Sequence, residues 1–250
     1  MHKQAEHYKK IHETYQNHYF DRYSRYYRKK IIFNKIIKFI ETSNSTLDIG
    51  CGGPENYFEL KKISKKIKVY HGVDISKDAV DLFKEKTLNK NSAFVADFSS
   101  KKLKIKKKYD CLLFLGSLHH MTRNLEGVIH NCSKFLKKNG ILILVEPNAA
   151  FLNSIRNLWY RLSDDFDHEN ERALSIEEIN CLCKKNNFSN LYLKFTGNIG
   201  FYVILNSMIL KIPKWIKRIT YKPLIFFDQF FEKLNLKYAS AIHISVWKKN

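Results

Sequence analysis

LDIGCGGP, residues 47–54, is the stretch of sequence that says most about the fold. Its apolar beginning predicts a buried β-strand, and Gly50, Gly52 and Gly53 directly after it predict a tight turn that leads into a helix. Since glycine has no Cβ atom, such a turn lets a ligand approach the backbone closely. The N–H groups of the turn and of the helix N-terminus favour a polar or negatively charged group. The sequence therefore predicts a ligand-binding loop at 50–53.

The same loop argues against a dinucleotide cofactor. The dinucleotide-binding pattern G-x-G-x-x-G needs a third glycine three positions after Gly52, and that position is Glu55. A carboxylate there would repel a pyrophosphate. Asp48, two residues before the first glycine, can instead orient the loop and hold a cationic amino group, either directly or through water. We therefore expect neither a nicotinamide nor a flavin dinucleotide.

Outward from this loop, short β-branched runs alternate with helical stretches between Ser45 and Trp247. The alternation predicts an α/β fold, a three-layer sandwich in which helices cover both faces of a mostly parallel sheet. Ser175, followed three residues later by Glu178, is a capping-box pattern that predicts the start of a helix at about 175–187. The predicted strands are residues 46–49, 69–74, 93–96, 111–115, 141–145, 190–195 and 241–247.

We expect a single domain, 1–250, with four parts. Residues at helical spacing in 6–41 predict one or two amphipathic helices before the core. The insertion before the last strand is too long for a hairpin, and Pro213 and Pro223 predict two separate helices packed over an edge or face of the sheet. The four parts are N-terminal helices at 1–44, a ligand-binding core at 45–195, the helical insertion at 196–240 and the last strand at 241–250.

Acidic residues also stand at the ends of the next two predicted strands, Asp74 at the second and Asp97 at the third. A carboxylate at the carboxyl end of a strand, beside a glycine loop, can accept hydrogen bonds from both ribose hydroxyls of a nucleoside. Asp97 could accept the exocyclic amine of an adenine, and Phe98 could stack on its ring. For Asp74 alone, a helix N-cap is an equal alternative. With Asp48, three acids at three strand ends favour a ligand that contains a nucleoside.

In chain order, the motifs resemble those of the class I (Rossmann-like) methyltransferases that depend on S-adenosylmethionine (SAM). LDIGCGG resembles their glycine motif, VDIS their ribose motif and ADF their adenine motif. YDCLLFLGSLHHM resembles the fourth strand with its loop, and LKKNGILILVEPN resembles the turn and the fifth strand. The likeness covers most of residues 45–195. The overall arrangement, including HENERALS after the fifth strand, is similar to a bacterial subgroup of quinone and polysaccharide biosynthesis methyltransferases.

The resemblance implies a seven-stranded sheet whose last strand, 241–247, is antiparallel. It also implies SAM as the cofactor and direct in-line transfer of its methyl group to a small-molecule, saccharide or lipid-linked biosynthetic intermediate. In similar enzymes, helices before the first strand close over the cofactor, and the N-terminal tyrosines could do so here or could simply pack. The residues that the resemblance assigns to cofactor binding are Asp48, Gly50, Cys51, Gly52, Gly53, Asp74, Ile75, Asp97, Phe98 and Leu115.

Pro54 departs from the family pattern, in which a further glycine commonly stands two residues after the second. Gly53 can move the flexible position one residue earlier, since a proline suits the first turn of the helix that follows. The alternative is a loop that binds SAM poorly. The chain would then be a degenerate relative of the family, a SAM-binding protein without turnover.

Three histidines are candidates for catalysis. His119 and His120 follow the fourth predicted strand, where the resemblance places donor and acceptor together, and His168 lies in the acidic loop after the fifth. Histidine can take a proton from an attacking hydroxyl or amine because its unperturbed pKa is about 6.5. The alternative for each is a structural role. We expect no metal, since Cys181 and Cys183 lack nearby histidines and no other ligand cluster has the usual spacing.

The chain is strongly basic, with 44 Lys and Arg against 24 Asp and Glu and a formal charge of +20. Such a charge attracts nucleic acid, an anionic membrane surface or acidic substrates, although an AT-rich coding sequence, which favours lysine codons, explains it equally well. An RNA methyltransferase is therefore an alternative, without a recognisable RNA-binding module to support it. Aromatic and basic residues in 196–240 could contact a membrane surface or a lipid-linked acceptor, and a lid or dimer surface is the alternative.

The sequence predicts a cytoplasmic protein. Its N-terminus lacks the apolar core of a secretory signal. No apolar run reaches the roughly 18 to 20 residues that a membrane span needs. Peripheral contact with the inner face of the cytoplasmic membrane is the alternative, and the sequence leaves the oligomeric state open.

Overall fold

The computed structural model describes residues 18–89, 92–153, 171–208 and 210–250. Before the sheet, α1 begins where the Asp21 carboxylate accepts hydrogen bonds from the Tyr23 and Ser24 N–H groups at 2.8 and 2.9 Å. These bonds satisfy donors that the first turn of a helix leaves unpaired. The helical prediction for 6–41 is confirmed over the described part of that range. Its segments are α1 (Arg22–Arg28), a π-helical turn (Lys29–Phe33) and α2 (Asn34–Ile40).

Strands and helices alternate through the core as predicted. All seven predicted strands are found, and the main difference is that the fifth starts at Leu136, directly after a helix, rather than at residue 141. The strands are β1 (Ser45–Ile49), β2 (Val69–Asp74), β3 (Ala93–Val95), β4 (Tyr109–Leu115), β5 (Leu136–Pro147), β6 (Phe188–Thr196) and β7 (Ile242–Lys249). The helices are α3 (Glu55–Ile63), α4 (Lys77–Thr87), α5 (Leu125–Phe135), α6 (Ile176–Lys185) and α7 (Lys214–Leu234).

The strands form one seven-stranded sheet in the order β3-β2-β1-β4-β5-β7-β6. β1 pairs in parallel with β2 and β4, and the pairs β2 with β3 and β4 with β5 are parallel as well. β7 lies between β5 and β6 and is antiparallel to both. This is the sheet that the resemblance implies. Because the strand order reverses between β1 and β4, their carboxyl ends border the crevice in which open α/β sheets bind ligands.

Alternate residues of the central strands face opposite sides of the sheet. In β4, Cys111 and Leu113 join the core under the N-terminal helices, α3, α4 and α7, whereas Leu112 and Phe114 join the core under α5 and α6. All four side chains are fully buried. A strand that is apolar on both faces is typical of a sheet covered by helices on both sides. The predicted three layers are confirmed.

The insertion differs from the prediction at one point. α7 begins after Pro213, as expected, but Pro223 lies inside the helix and does not end it. Pro223 is exposed, so water can bind the carbonyl that loses its N–H partner, and the packing of buried Ile225 on the core holds the helix together. The predicted break at Pro223 is therefore wrong. Of the described helices, α7 included, none is long and apolar enough to cross a membrane.

Buried polar groups attach α7 to α1. The ammonium group of Lys217, whose side chain is fully buried, donates to the Asp21 carboxylate at 2.6 Å and to the Ser24 hydroxyl at 2.9 Å. Farther along, the Tyr27 hydroxyl donates to the Asp228 carboxylate at 2.6 Å. A buried charge is costly unless it is paired, so separating the two helices would cost free energy at both contacts. The insertion is thus fixed against the N-terminal helix as well as against the sheet.

The start of α6 follows the predicted capping pattern in part. The Ser175 hydroxyl accepts a hydrogen bond from the Glu178 N–H at 3.1 Å. The Glu178 carboxylate, which a full capping box would direct back to Ser175, binds the Arg172 guanidinium through two bonds of 2.8 and 2.6 Å. A bidentate, charged pair of this kind is stronger than a bond to a single backbone N–H.

Candidate active site

The glycine loop joins the end of β1 to α3. Gly50 and Gly52 adopt positive φ angles of 67° and 56°, a region that residues with a Cβ atom rarely occupy. The N–H groups of Gly50 and Cys51 donate to the Val73 carbonyl at 2.8 and 3.2 Å, which fixes the loop across the end of β2. A Cβ atom at Gly50 would lie 2.6 Å from the Cβ of Ser117. This position therefore needs glycine for its backbone angle and for space.

Pro54 fits the loop that the chain forms. It stands at the N-cap of α3 with φ of −82°, which proline adopts without strain. The expected transfer of the flexible position to Gly53 does not occur, since the positive φ angles are at Gly50 and Gly52. A Cβ atom at Gly53 would instead collide with the carboxylate of Glu55.

Asp74 ends β2 and braces the loop. Its carboxylate accepts hydrogen bonds from the Gly52 N–H at 2.9 Å and from the Ser76 N–H at 2.8 Å. Burial raises the pKa of Asp74, although the backbone hydrogen bonds oppose the shift. The alternative role as a helix N-cap belongs to Ser76, whose hydroxyl accepts from the Ala79 N–H at 3.3 Å. An ionised carboxylate has about four acceptor sites, so Asp74 can accept further bonds from a ligand.

Asp48 is fully buried and stands behind the loop rather than on a cavity wall. It accepts hydrogen bonds from the Tyr70 hydroxyl at 2.8 Å and from the Asn56 side-chain amide at 3.3 Å. Burial raises the pKa of Asp48 to about 7, against the effect of these hydrogen bonds. Asn56, in the first turn of α3, does line the cavity. Asp48 is therefore joined to the cavity wall through Asn56, and its expected hold on a cationic amino group stays a prediction.

These elements border one cavity of about 740 Å³ at the carboxyl ends of β1, β2 and β4. Small-molecule sites typically enclose about 300 to 1,000 Å³. Every residue predicted to bind the cofactor lines this cavity except Asp48. Most of the additional lining residues come from the segments after β2, β3 and β4, which carry no motif that a single sequence reveals. They include Asn56, Ser76, Asp78, Ala79, Leu82, Ala96, Ser99, Gly116, Ser117, Met121, Arg123 and Asn124.

Asp97 and Phe98 line the cavity beyond β3, and both side chains contact other residues of the protein. The Asp97 carboxylate accepts bonds from the N–H and the hydroxyl of Ser99 at 2.9 and 2.6 Å. The Phe98 ring is 2% exposed and packs against Phe114 and Phe135, with centroids 5.9 and 6.2 Å away. The residue is therefore almost fully buried although it lines the cavity, and stacking of an adenine on its ring stays a prediction.

The three candidate histidines are placed differently. His120 lines the cavity, His119 lies behind the wall, and His168 is outside the described residues. Beneath them, Glu146 at the end of β5 is fully buried, and its Oε2 lies 2.7 Å from Nδ1 of His119. Both oxygens of Glu146 also accept N–H groups of residues 117–119 at 2.9 to 3.3 Å. Glu146 thus orients His119 and the turn that carries both rings.

The negative charge of Glu146 and the positive charge of His119 stabilise each other. Burial acts to raise the pKa of Glu146, but the hydrogen bond and the charge of His119 outweigh it, and the pKa is lowered. Burial likewise acts to lower the pKa of His119, and Glu146 reverses the effect, so this pKa is raised. The pKa of His120 is lowered, first by burial and then by the charge of His119.

Glu171 lies beside both rings. Its Oε1 is 3.9 Å from Nε2 of His119 and its Oε2 is 3.3 Å from Nδ1 of His120. The Arg172 N–H donates to the His119 carbonyl at 3.2 Å, which holds this segment against the turn. One atom from each of the three side chains lies within 4.8 Å of the others, close enough to hold a metal ion. The sequence predicts no metal ligands. It misses this cluster because Glu171 is too far along the chain from the histidines to form a recognisable spacing pattern with them.

Tyr19 and Phe20, just before α1, form part of the cavity wall. The Arg28 guanidinium lies 4.9 and 4.8 Å from the centroids of these rings and 3.3 Å from the Glu59 carboxylate of α3. Arg28 is 2% exposed, so it joins the N-terminal segment to the helix that follows the glycine loop. The N-terminal tyrosines were expected either to close over the cofactor or to pack. Tyr19 lies at the cavity, whereas Tyr27 packs in the core.

Solved structures share this architecture. A SAM-dependent methyltransferase from Archaeoglobus fulgidus, 17% identical, superposes with a TM-score of 0.61 over 95% of this chain and 99% of that chain. One from Thermotoga maritima, 14% identical, gives 0.61 over 98% and 99%. Magnesium protoporphyrin IX methyltransferase from Synechocystis, crystallised with bound S-adenosylhomocysteine, is 13% identical, with a TM-score of 0.56 over 90% and 84%. At these identities the likeness establishes the fold.

Sequence comparison goes further. An uncharacterized protein of Methanocaldococcus jannaschii is 32% identical over 143 residues. The match covers 57% of this chain and 51% of that protein, so the chain spans about half the length of its relative. A family model described as a methyltransferase domain matches residues 15–193, which include the glycine loop and the residues that line the cavity. The chain belongs to this family of methyltransferase domains.

Proposed function

We propose that the protein is a SAM-dependent methyltransferase whose cofactor occupies the cavity at the ends of β1, β2 and β4. The observation that carries this proposal is the convergence of the glycine loop, Asp74 and Asp97 around that cavity. Family membership supports methyl transfer as the reaction. The similar fold of SAM-dependent enzymes, one of them with S-adenosylhomocysteine bound, supports SAM as the methyl donor.

We assign three parts of the cavity to three parts of SAM. The positive φ angles at Gly50 and Gly52 leave backbone without side chains at the wall, where a methionine chain fits. We assign the ribose hydroxyls to Asp74, which is bonded to the Gly52 N–H, and the adenine amine to Asp97, and both residues line the cavity. SAM supplies a methyl group on a sulfonium, which the lone pair of an acceptor displaces in line.

The chain itself contributes alignment in a confined space. Tyr19 and Phe20 form one part of the wall, and Met121 and Arg123 form another beside His120. Holding the acceptor against the donor lowers the barrier, because the entropy of bringing the two together is lost on binding. We place the acceptor beside His120, the candidate histidine on the described wall.

Calorimetric titration with SAM tests the cofactor assignment. We expect one molecule per chain, and Asp74→Ala should weaken binding by about 1 to 3 kcal/mol through loss of a charged hydrogen-bond acceptor. Asp81→Ala is the matched control, since Asp81 is exposed on α4 and pairs with Lys77. Circular dichroism shows whether each variant folds. Equal affinities of folded Asp74→Ala and Asp81→Ala would refute the role of Asp74.

Methyl-labelled SAM tests turnover and the class of acceptor. The purified protein is incubated with an extract of its host cells, and lipid, RNA, protein and small-molecule fractions are then separated. Label in the lipid fraction is the expected result. Label in RNA would instead favour an RNA methyltransferase. SAM binding with no labelled fraction would favour a binding protein without turnover.

For the acceptor, we propose a lipid-linked intermediate, of the kind that quinone and polysaccharide biosynthesis uses, met at an anionic membrane surface. The outer face of α7 supports this choice. Five large apolar side chains on that face are 53% to 74% exposed, namely Trp215, Ile219, Phe226, Phe230 and Leu234. Exposed basic residues lie among them, namely Lys214, Arg218, Lys222 and Lys233. Both acids of α7 turn inward, Asp228 to Tyr27 and Glu232 to Lys35 at 2.8 Å.

Charge favours a lipid surface over a second copy of the chain. Since the exposed face of the fully described helix α7 carries cations and no carboxylate, two such faces would repel each other. Aromatic side chains enter the membrane interface, and each nearby Lys or Arg adds about 1 kcal/mol of attraction to anionic lipids. The bond between Lys217 and Asp21 joins α7 to the segment whose Tyr19 and Phe20 line the cavity.

Sedimentation with lipid vesicles tests the surface. We expect binding to vesicles that contain phosphatidylglycerol, weaker binding at high salt, and little binding to phosphatidylcholine alone. The double variant Phe226→Ser with Phe230→Ser should bind poorly, whereas Phe58→Ser, at an exposed aromatic on α3, should bind like the wild type. Unchanged binding by the double variant would refute the proposal. A dimer that this variant dissociates would assign the face to a dimer surface.

A further inference from the structure

We propose that His119, His120 and Glu171 form a binding site for a divalent transition-metal ion, open to the cavity, that holds the attacking atom of the acceptor. The role of the metal in methyl transfer rests on the proposed function above. The metal site itself stands on the geometry of the three side chains.

The ligand set has the right chemistry and proximity. Two imidazoles and one carboxylate are the donors that Zn²⁺ and Fe²⁺ commonly take in proteins. The side chains are 11%, 21% and 10% exposed, so water competes little for the site. With bonds of about 2.1 Å, ligand atoms in a tetrahedral site lie about 3.4 Å apart. The present ligand atoms all lie within 4.8 Å of one another, so small rotations of the side chains complete the set.

Glu146 gives His119 the orientation that a metal ligand needs. Its carboxylate is 2.7 Å from Nδ1 of His119, which places the ring proton on that nitrogen and leaves the lone pair on Nε2. Nε2 is the atom that lies on the side of Glu171, at 3.9 Å. A carboxylate behind a ligating histidine is the usual second partner in metal sites, where it fixes the ring and strengthens the ligand.

The backbone brings Glu171 to the histidines without the help of a metal. The neighbouring Arg172 donates its N–H to the His119 carbonyl at 3.2 Å. The Arg172 guanidinium is held in turn by the Glu178 carboxylate of α6 through two bonds of 2.8 and 2.6 Å. The three ligands are therefore positioned before an ion arrives, and little ordering entropy is lost when it binds.

The site opens toward the methyl donor. His120 is part of the cavity wall, and the other two ligands are next to it, with Glu171 Oε2 3.3 Å from Nδ1 of His120. Three protein ligands leave at least one coordination position for a further ligand, as in catalytic zinc sites. Because His120 faces the cavity, that position is reached from the cavity. An acceptor hydroxyl or amine can occupy it while SAM lies against the glycine loop.

The reaction balances without an oxidant or reductant. A hydroxyl bound to the metal is more acidic, as shown by zinc-bound water, whose pKa falls from 15.7 to about 7. It loses its proton to solvent, and the oxygen lone pair forms a bond to the methyl carbon. The bond from carbon to sulfur breaks and its electron pair stays on sulfur. The products are the methyl ether and S-adenosylhomocysteine, and the metal keeps its charge.

Metal titration of the full chain, without SAM, tests the site. The metal-depleted protein is titrated with Zn²⁺ against a coloured chelator and with Co²⁺, whose visible absorption reports its ligands. We expect the wild type to bind one ion per chain. Glu171→Gln, which keeps the shape of the side chain, should weaken the binding of that ion by about 100-fold or more. Glu177→Gln is the matched control, since Glu177 is a 63% exposed acid nearby that pairs with Lys237, and it should bind as the wild type does.

Two further measurements sharpen the outcome. Glu146→Gln should also weaken Zn²⁺ about 10- to 100-fold, because it removes the partner of His119. Thermal unfolding shows that each variant folds. Equal Zn²⁺ affinity of Glu171→Gln and Glu177→Gln, or no stoichiometric ion in the wild type, would overturn the metal site. Titration with SAM in the absence of metal keeps the proposals apart: SAM bound without any ion leaves the donor cavity standing, and an ion bound without SAM leaves the metal site standing.

Discussion

Replacing His243 with leucine should raise the free energy of unfolding and make it fall less as the pH is lowered. His243 lies within β7, opposite Glu146 of β5 and Phe195 of β6, and is 0% exposed. Among the described residues, neither of its ring nitrogens has a hydrogen-bond partner. Burial lowers the pKa of His243 from the usual 6.5 to about 4. The folded protein therefore contains a neutral imidazole whose polar atoms are unsatisfied.

The size of the effect follows from the pKa. As the pH falls, the unfolded chain takes up a proton near pH 6.5, while folded His243 does so only near pH 4. The difference of about 2.5 units, at 1.36 kcal/mol per unit, lowers the free energy of unfolding by about 3 kcal/mol at pH 4 relative to neutral pH. Leucine also avoids leaving a buried polar group unpaired, which costs about 1 to 3 kcal/mol at any pH.

Urea unfolding followed by circular dichroism measures both effects. Between pH 7.5 and 4.5, the stability advantage of His243→Leu over the wild type should grow by about 2 to 3 kcal/mol. The matched control is His130→Leu, which makes the same substitution at an exposed position of α5. If the advantage of His243→Leu were the same at both pH values, the assignment of a neutral, buried histidine would be refuted.

Three further predictions concern stability and use the same unfolding assay. Gly50→Ala should destabilise the protein by more than Gly52→Ala. Both positions have positive φ angles, which cost about 1 to 2 kcal/mol for other residues, but only at Gly50 would the added Cβ atom also collide with Ser117. Equal losses of stability would contradict this. Tyr27→Phe should cost about 1 to 3 kcal/mol because buried Asp228 loses the hydroxyl donor to its Oδ2 and keeps only backbone N–H donors such as that of Gly200, whereas Tyr26→Phe, at a 41% exposed ring, should cost little. Asp48→Asn should flatten the fall in stability between pH 4 and 7, because burial raises the pKa of folded Asp48 to about 7, whereas the unfolded chain loses this proton near 3.8 and is favoured as the pH rises. An unchanged slope would count against a protonated Asp48.

The fold could be predicted because its signals are local. Each strand is a short apolar run bounded by turn residues, and each run forms the strand expected of it. The errors are also local. Asn139 and Gly140 read as a turn, but the strand passes through them with a bulge and pairs Leu136 with Tyr109. Pro223 reads as a helix end, but an exposed proline on a well-packed helix does not end it.

The candidate site could be predicted only in part. Residues within a motif, such as Asp74 and the loop glycines, lie where the motif places them. Asp48 has the right sequence position but is turned away from the cavity, and sequence spacing does not show which way a side chain faces. The contact of Glu171 with the two histidines joins segments that are distant in sequence. Such contacts arise from tertiary packing, which leaves no periodic pattern in the chain.

The position of β7 sets an order of events during synthesis. β7 follows β6 along the chain but lies between β5 and β6, and the described β6 pairs with no other strand. While β7 is still being made, β5 and β6 each present an unpaired edge, and such edges invite association with other chains. The parallel strands from β3 to β5, which border the glycine loop, need no residue of β7 to pair with one another. The half of the sheet that borders the glycine loop can therefore pair before β7 is synthesised, and β6 joins the sheet only once β7 has paired with β5.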